Sequence, residues 1–394
     1  MRIALNAECL ADIQTDLGRY MHQLIESIGT IDGVNEYLAL TYHPLALRPA
    51  TPSSFTWEEL PVNAPNEQMR RVAWEQRIFP DIARRRNAKV LFIPYFAPPA
   101  ITPLPYIVTV HDLLPFALPD YRPSTGSWMY QQVLAKVIKR ATVIITVSEF
   151  MKSEIIRLLN VPAENITIIQ GAPGLQFRPI TDTTRLRAIR SRYRLTEQFL
   201  VYNGGFDSRK NIPLLLGAFA ASMHRLQDTS TQLLILGDTT SLGSDALHPD
   251  WQPLVRTFGL SQRVISAIPL DEDLPALYSQ AAAFIYPSFY EGFGWHVLDA
   301  MSCGAPVIIA DHPALQETIG SAGLSFMMTR QFDGSVNGTA SIRAMTNQMT
   351  RLLADPALRE EYHQRGLARA KQFSWSQTAA ETSAIFAQVA GVSN

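Results

Sequence analysis

The sequence predicts two doubly wound α/β domains. Three observations lead there: strand-like runs that are apolar throughout, helical segments alternating with them, and one loosened stretch near the middle of the 394 residues. Uninterrupted apolar runs belong to strands covered on both faces, which is the condition of parallel sheets flanked by helices. The length suits about two domains, each able to bury its own core.

In chain order, "RIALNA", "KVLFIPY", "PYIVTVHD", "ATVIITVS" and "ITIIQG" read as the strands of the first half. "FLVYNGG", "TQLLILGD", "VISAI", "AAFIYPS" and "APVIIAD" read as those of the second. "LGRYMHQLIESI", "KSEIIRLLN" and "LPALYSQA" carry the helical period. Gly171, Pro173, Gly174 and Pro179 break both periods, so the domain boundary is expected near residue 180.

Net charge is −1 and 47% of residues are hydrophobic, the balance of a globular protein rather than of a disordered or nucleic-acid-binding chain. Cys9 and Cys303 read as reduced thiols, not as a disulfide framework. The start "MRIALNAECLA" places Asn6 and Glu8 where a signal peptide needs an apolar core, and no run reaches membrane-span length. A cytoplasmic protein is expected.

Ligands of open α/β sheets bind beyond the carboxyl ends of the strands, and two facing domains would form a cleft there. In "VYNGGFDSRKN", Gly204 and Gly205 turn the chain, and Asp207, Arg209, Lys210 and Asn211 follow before a helix. Adjacent cations at such a place suit a diphosphate, while Asp207 or Asn211 could instead cap the helix. In "FYEGFGWHVLDAMSCGAPVI", Gly292 and Gly294 form a turn between Glu291 and a short helix that carries Asp299 and is closed by Gly304 and Pro306. Helical geometry sets Val297, Leu298 and Met301 on one face and Asp299 beside it, near Trp295 and Ser302. Asp299 is thus expected at the cleft margin or in solvent, and both carboxylates could also be helix-dipole partners.

The "EGFGWHVLDAMSCGAPVI" stretch resembles the signature of glycosyltransferase family 4, two glutamates separated by seven residues. "GGFDSRKN", "LLILGD", "VISAIPLDEDLPALYSQAAAFIYPS", "VSEFMKSEI" and "TVHDL" accompany it. The resemblance implies a retaining nucleotide-sugar transferase of GT-B fold, two Rossmann-like domains over residues 1–180 and 181–375, and a C-terminal helix over 376–394 packing back on the first. It implies a donor held by the second domain and a saccharide or lipid-linked saccharide acceptor on the first, with no cofactor.

Carried over to this chain, Arg209 and Lys210 would clamp the diphosphate, with Gly204, Gly205 and Asp207 in the same loop. Glu291 would contact the transferred sugar, with Gly292, Phe293, Gly294 and Trp295 nearby. Asp299 would take the ribose hydroxyls, Val264 and Ile265 would lie by the base, and His111 would approach the sugar. Gly18 would form the first donor loop. His111 and Asp112 could also be a capped loop, and Val264 and Ile265 plain core. The chain departs from the family in having Asp299 for the second glutamate, Trp295-His296 for Leu-Pro, and Asp16-Leu17-Gly18-Arg19 for a more glycine-rich loop.

No zinc spacing or metal-binding Asp-x-Asp stands out, and the acidic residues 271 to 273 are expected to cap the next helix. Arg209, Lys210 and a helix N-terminus would then stabilise the leaving diphosphate. Front-face substitution fits better than double displacement, in which Glu291 would be the nucleophile. The first strand lacks the G-x-G-x-x-G of a nicotinamide enzyme, and a solute-binding protein has no use for Arg209-Lys210 there. A catalytically silent relative is the third rival. Arg70, Arg71, Arg77, Arg84, Arg85 and Arg86, with Trp74 and Phe79, then Lys136, Lys139 and Arg140, suggest either solvated helix faces or attachment to an anionic membrane. The resemblance, by the frequency of donors in the family, implies UDP-glucose first and GDP-mannose second.

Overall fold

The computed structural model describes residues 1–45, 47–122, 124–328 and 338–391. The chain divides into two compact units, Met1–Ala172 with Phe373–Asn394, and Pro173–Gln372. The first contains β1 (Arg2–Asn6), β2 (Glu36–Thr41), β3 (Phe55–Glu59), β4 (Val90–Ile93), β5 (Tyr106–Val110), β6 (Val143–Thr146) and β7 (Ile166–Ile168). These lie parallel in the order β3-β2-β1-β4-β5-β6-β7. Every residue of β4, β5 and β6 is buried, as expected of strands with helices on both faces.

The second unit contains β8 (Phe199–Asn203), β9 (Gln232–Leu236), β10 (Val264–Ala267), β11 (Ala283–Tyr286), β12 (Val307–Ala310) and β13 (Leu324–Phe326). They are again parallel, in the order β10-β9-β8-β11-β12-β13. In each unit the strand order reverses once, between β1 and β4 and between β8 and β11. Such a switch point opens a crevice at the carboxyl ends of the two central strands.

Three strands lie outside the runs named above. β3, "FTWEE", is an edge strand with one fully buried residue, so it shows no continuous apolar run. β13 has three residues, too few for a period, whereas β2 has five buried residues and was legible by the same criterion as its neighbours.

The boundary expected at residue 180 falls inside the second unit. The stretch before it is tied there: Phe177 stacks on Tyr278 at 5.8 Å, and Ile180 donates its N–H to Ser279 Oγ at 3.0 Å. The C-terminal helix Trp375–Gly391 packs within the first unit, where Trp375 meets Tyr20 at 5.7 Å and Phe386 meets Phe92 at 5.3 Å. The last three residues of the 376–394 segment lie outside the described ones. Cys9 and Cys303 are free and buried. Among the described residues, no helix is long and apolar enough to cross a membrane.

Candidate active site

At the switch point of the second unit, β8 delivers Arg209 and Lys210, and β11 delivers Glu291. Gly204 permits their approach: a Cβ there would stand 2.5 Å from the Tyr286 ring. Beyond it, the chain forms a 3-10 turn, Ser208–Lys210, and Asn211 takes a left-handed conformation before the helix Ile212–Leu226. Neither Asp207 nor Asn211 makes a side-chain cap bond, so capping does not account for them.

Four groups converge on one oxygen of Glu291. Lys210 Nζ donates to Oε1 at 2.6 Å, Arg209 Nη1 at 2.8 Å, Ser288 Oγ at 2.6 Å and the Tyr286 hydroxyl at 3.2 Å. Lys210 is 4% exposed, and it also donates to Tyr286 at 2.7 Å and lies 4.9 Å above that ring. Arg209 Nη1 reaches Tyr290 O at 2.9 Å, and its Nε stands 3.1 Å from Asp207 Oδ1.

Burial alone would raise the Glu291 carboxyl, but the charges of Lys210 and Arg209 outweigh it and hold the group well below the usual carboxylate range. Burial, with repulsion from Arg209, pulls Lys210 below its ordinary value against the attraction of Glu291. Arg209 and Lys210 are balanced by Asp207 and Glu291, so the site as it stands is near neutral. Tyr286 and Ser288 were not expected here, though "YPS" at the end of a strand-like run marked the place.

Gly294 starts the helix Trp295–Ser302 with φ +109, and a Cβ there would lie 2.7 Å from Leu315. This conformation favours glycine. Gly292 and Phe293 are buried, and Phe293 meets Trp295 edge-on at 5.0 Å. Of the two places expected for Asp299, the cleft margin or solvent, its burial removes solvent. Asp299 is 1% exposed, and its Oδ1 accepts the N–H of Gly174 at 2.9 Å, because the stretch that opens this unit passes over the helix and needs an acceptor. Val264 and Ile265 are half-buried on the edge strand β10. Asp273 makes no cap bond; it is buried and accepts from Arg192 Nη1 at 2.7 Å and Tyr193 at 2.9 Å.

His111 and Gly18 belong to the first unit. His111 follows β5, packs edge-on against Tyr20 at 4.7 Å and has Nε2 3.0 Å from Pro94 O, which assigns its proton to Nε2. Burial pulls its pKa down, favouring the neutral ring. Asp112 accepts from Leu114 N at 3.0 Å, so the capped-loop reading of that residue holds. Gly18 N–H donates to Thr15 Oγ1 at 3.0 Å in the cap of the helix Asp16–Ile31. Part of the basic stretch is paired: Arg70 with Glu67 at 2.6 Å, Arg71 with Glu75 at 2.7 Å, Arg86 with Glu58 at 2.8 Å. Trp74 and Phe79 are core residues, which removes the aromatic anchors that a membrane surface would use.

The sequence matches the family model "Glycosyl transferases group 1" over residues 187–369 and "Glycosyltransferase Family 4" over residues 39–172. It is 34% identical over 317 residues to O-antigen chain mannosyltransferase B of Escherichia coli, covering 79% of this chain and 76% of that protein. It is 26% identical over 287 residues to the serotype-specific mannosyltransferase WbdA of Escherichia coli, of whose length the match spans 32%. Among solved structures, sucrose-phosphate synthase of Thermosynechococcus elongatus superposes with a TM-score of 0.75 at 21% identity, over all of both chains. Anabaena HepE in complex with UDP-glucose superposes with a TM-score of 0.71 at 14% identity, over 98% of this chain and all of that one. With both sheets, their switch points and these matches in agreement, the chain belongs to the family 4, group 1 glycosyltransferases and has their two-domain GT-B fold.

Proposed function

We propose that the chain is a retaining mannosyltransferase that transfers mannose from GDP-mannose to a saccharide acceptor in polysaccharide biosynthesis. The observation that carries this reading is the cluster of Arg209, Glu291 and the buried Lys210 at the switch point, in a chain 34% identical to an O-antigen chain mannosyltransferase. UDP-glucose, ranked first on its frequency in the family, gives way to GDP-mannose because several of the similar curated proteins are mannosyltransferases.

In this reading the diphosphate takes the place of Glu291 on Arg209 and Lys210. Released from them, Glu291 turns to the hydroxyls of the transferred sugar. The bond from C1 to the phosphate oxygen breaks while the acceptor oxygen bonds to C1 on the same face. The departing phosphate oxygen takes the acceptor's proton, and the two cations stabilise its charge without a metal ion. Neutral His111 serves the sugar, and Val264 and Ile265 flank the base. Asp299 serves the ribose in addition to Gly174, since a carboxylate offers about four acceptor sites.

Calorimetric titration with GDP and UDP tests the donor. GDP is expected to bind about tenfold or more tightly than UDP, and the reverse order overturns the choice of GDP-mannose. The anomeric configuration of the product, read by NMR, tests retention, and turnover undiminished by EDTA tests metal independence.

A further inference from the structure

Tyr286, the residue that ends β11, meets both Lys210 and Glu291, and the reaction described above gives it no part. It is 1% exposed, and its ring stacks on Tyr202 at 6.3 Å and on Phe284 at 5.9 Å. β11 pairs with β8 through Phe284 and Val201, which brings Gly204 alongside Tyr286 at the carboxyl ends of the two strands. A Cβ at Gly204 would stand 3.2 Å from the hydroxyl itself. A ring wedged in this way holds its hydroxyl in one place, at the switch point.

The hydroxyl oxygen accepts from Lys210 Nζ at 2.7 Å, and the ammonium also lies 4.9 Å above the ring. Its one proton is then left for Glu291 Oε1 at 3.2 Å. That oxygen is oversupplied. A carboxylate oxygen offers about two acceptor sites, whereas Lys210 and Ser288 at 2.6 Å, Arg209 at 2.8 Å and Tyr286 all point at it. Tyr286 stands farthest off, so its proton is the most easily moved to another acceptor. Arg209 and Lys210 bring charge to an oxyanion. A hydroxyl between them and the ligand adds a donor without adding a charge that burial would penalise. A diphosphate has several oxygens close together and can take from all three groups without crowding them on one atom.

We propose that Tyr286 is a further donor-binding residue, whose hydroxyl hydrogen-bonds to an oxygen of the diphosphate while it continues to accept from Lys210. This assignment rests on the transferase reading above, in which Glu291 leaves the two cations. The test is calorimetric titration of the full chain, as wild type, Tyr286→Phe, Lys210→Ala and the double variant, with whichever of GDP and UDP binds the wild type more tightly. Phenylalanine keeps the ring in its contacts and removes the hydroxyl alone, so the melting temperature is expected to stay near that of the wild type. Nucleotide affinity is expected to fall about fivefold in Tyr286→Phe, and a loss of about twofold or more is expected to persist when the change is added to Lys210→Ala. Wild-type affinity in Tyr286→Phe overturns the assignment and leaves the transferase reading standing. So does a loss that vanishes in the Lys210→Ala background, because the hydroxyl would then act through Lys210 alone. A wild-type chain that binds neither nucleotide overturns the transferase reading and the assignment together.

Discussion

The two switch points share a topology and differ in charge. The one between β8 and β11 gathers two cations around one carboxylate oxygen, and the one between β1 and β4 gathers carboxylates around one tyrosine hydroxyl. Parallel strands with helices on both sides place loops at the same end of each sheet whatever those loops contain. The same topology thus carries different chemistry at its two switch points, and under the proposed function the pair Arg209 and Lys210 is the one that would meet a diphosphate.

The largest expected effect comes from breaking the cationic place. Lys210→Ala removes a buried partner of Glu291, and kcat/KM is expected to fall by about 3 kcal/mol, roughly a hundredfold, in steady-state assays with GDP-mannose. Near-normal turnover would mean that the diphosphate lies elsewhere. Glu291→Gln sharpens the same contrast. With the competing charge gone, GDP should bind as tightly as before or more tightly, while kcat falls about tenfold or more because the sugar contact is altered. Weaker GDP binding in this variant would remove Glu291 as a stand-in for the diphosphate.

The two central carboxylates should also answer pH in opposite directions. Glu291 titrates below its ordinary value near 4.5 in the folded chain, so its contribution to stability is complete above that pH and is lost as pH falls further. Burial raises Glu75 despite Arg71, so ionising it opposes folding, and its contribution declines as pH rises through and beyond 4.5. Denaturant unfolding from pH 3 to pH 7 should therefore show a flatter acid limb for Glu291→Gln and a gain at neutral pH for Glu75→Gln. Parallel shifts in the two variants would contradict the contrast.

A smaller effect is expected at Asp299. Asp299→Ala leaves the N–H of Gly174 without its acceptor and should lower unfolding free energy by about 1 to 3 kcal/mol. An unchanged denaturation midpoint would show that the bond contributes little.

Much of this was legible in the residues. The cationic place was readable because Gly204, Gly205, Arg209 and Lys210 lie in one short loop, and Glu291 sits between a strand-like run and two glycines. The direction of Asp299 was not, since it depends on Gly174, 125 positions earlier in the chain. Periodicity placed Asp299 beside the buried face, and the covering segment buried it. The grouping of Glu8, Tyr42 and Glu67 was equally hidden, because Glu8 and Tyr42 come together through the pairing of β1 with β2 and Glu67 arrives on a separate helix. Trp74 and Phe79 misled for the converse reason: charged neighbours in sequence do not imply exposure, and both rings fill the core.

The most direct test of the central claim, that Arg209 and Lys210 hold the diphosphate of the donor, is calorimetric titration of GDP into three proteins: wild type, Lys210→Ala and, as a control at the other switch point, Glu8→Gln. The account predicts that Lys210→Ala weakens GDP about tenfold or more and that Glu8→Gln binds it as the wild type does. Wild-type affinity in Lys210→Ala, or an equal loss in Glu8→Gln, would contradict it.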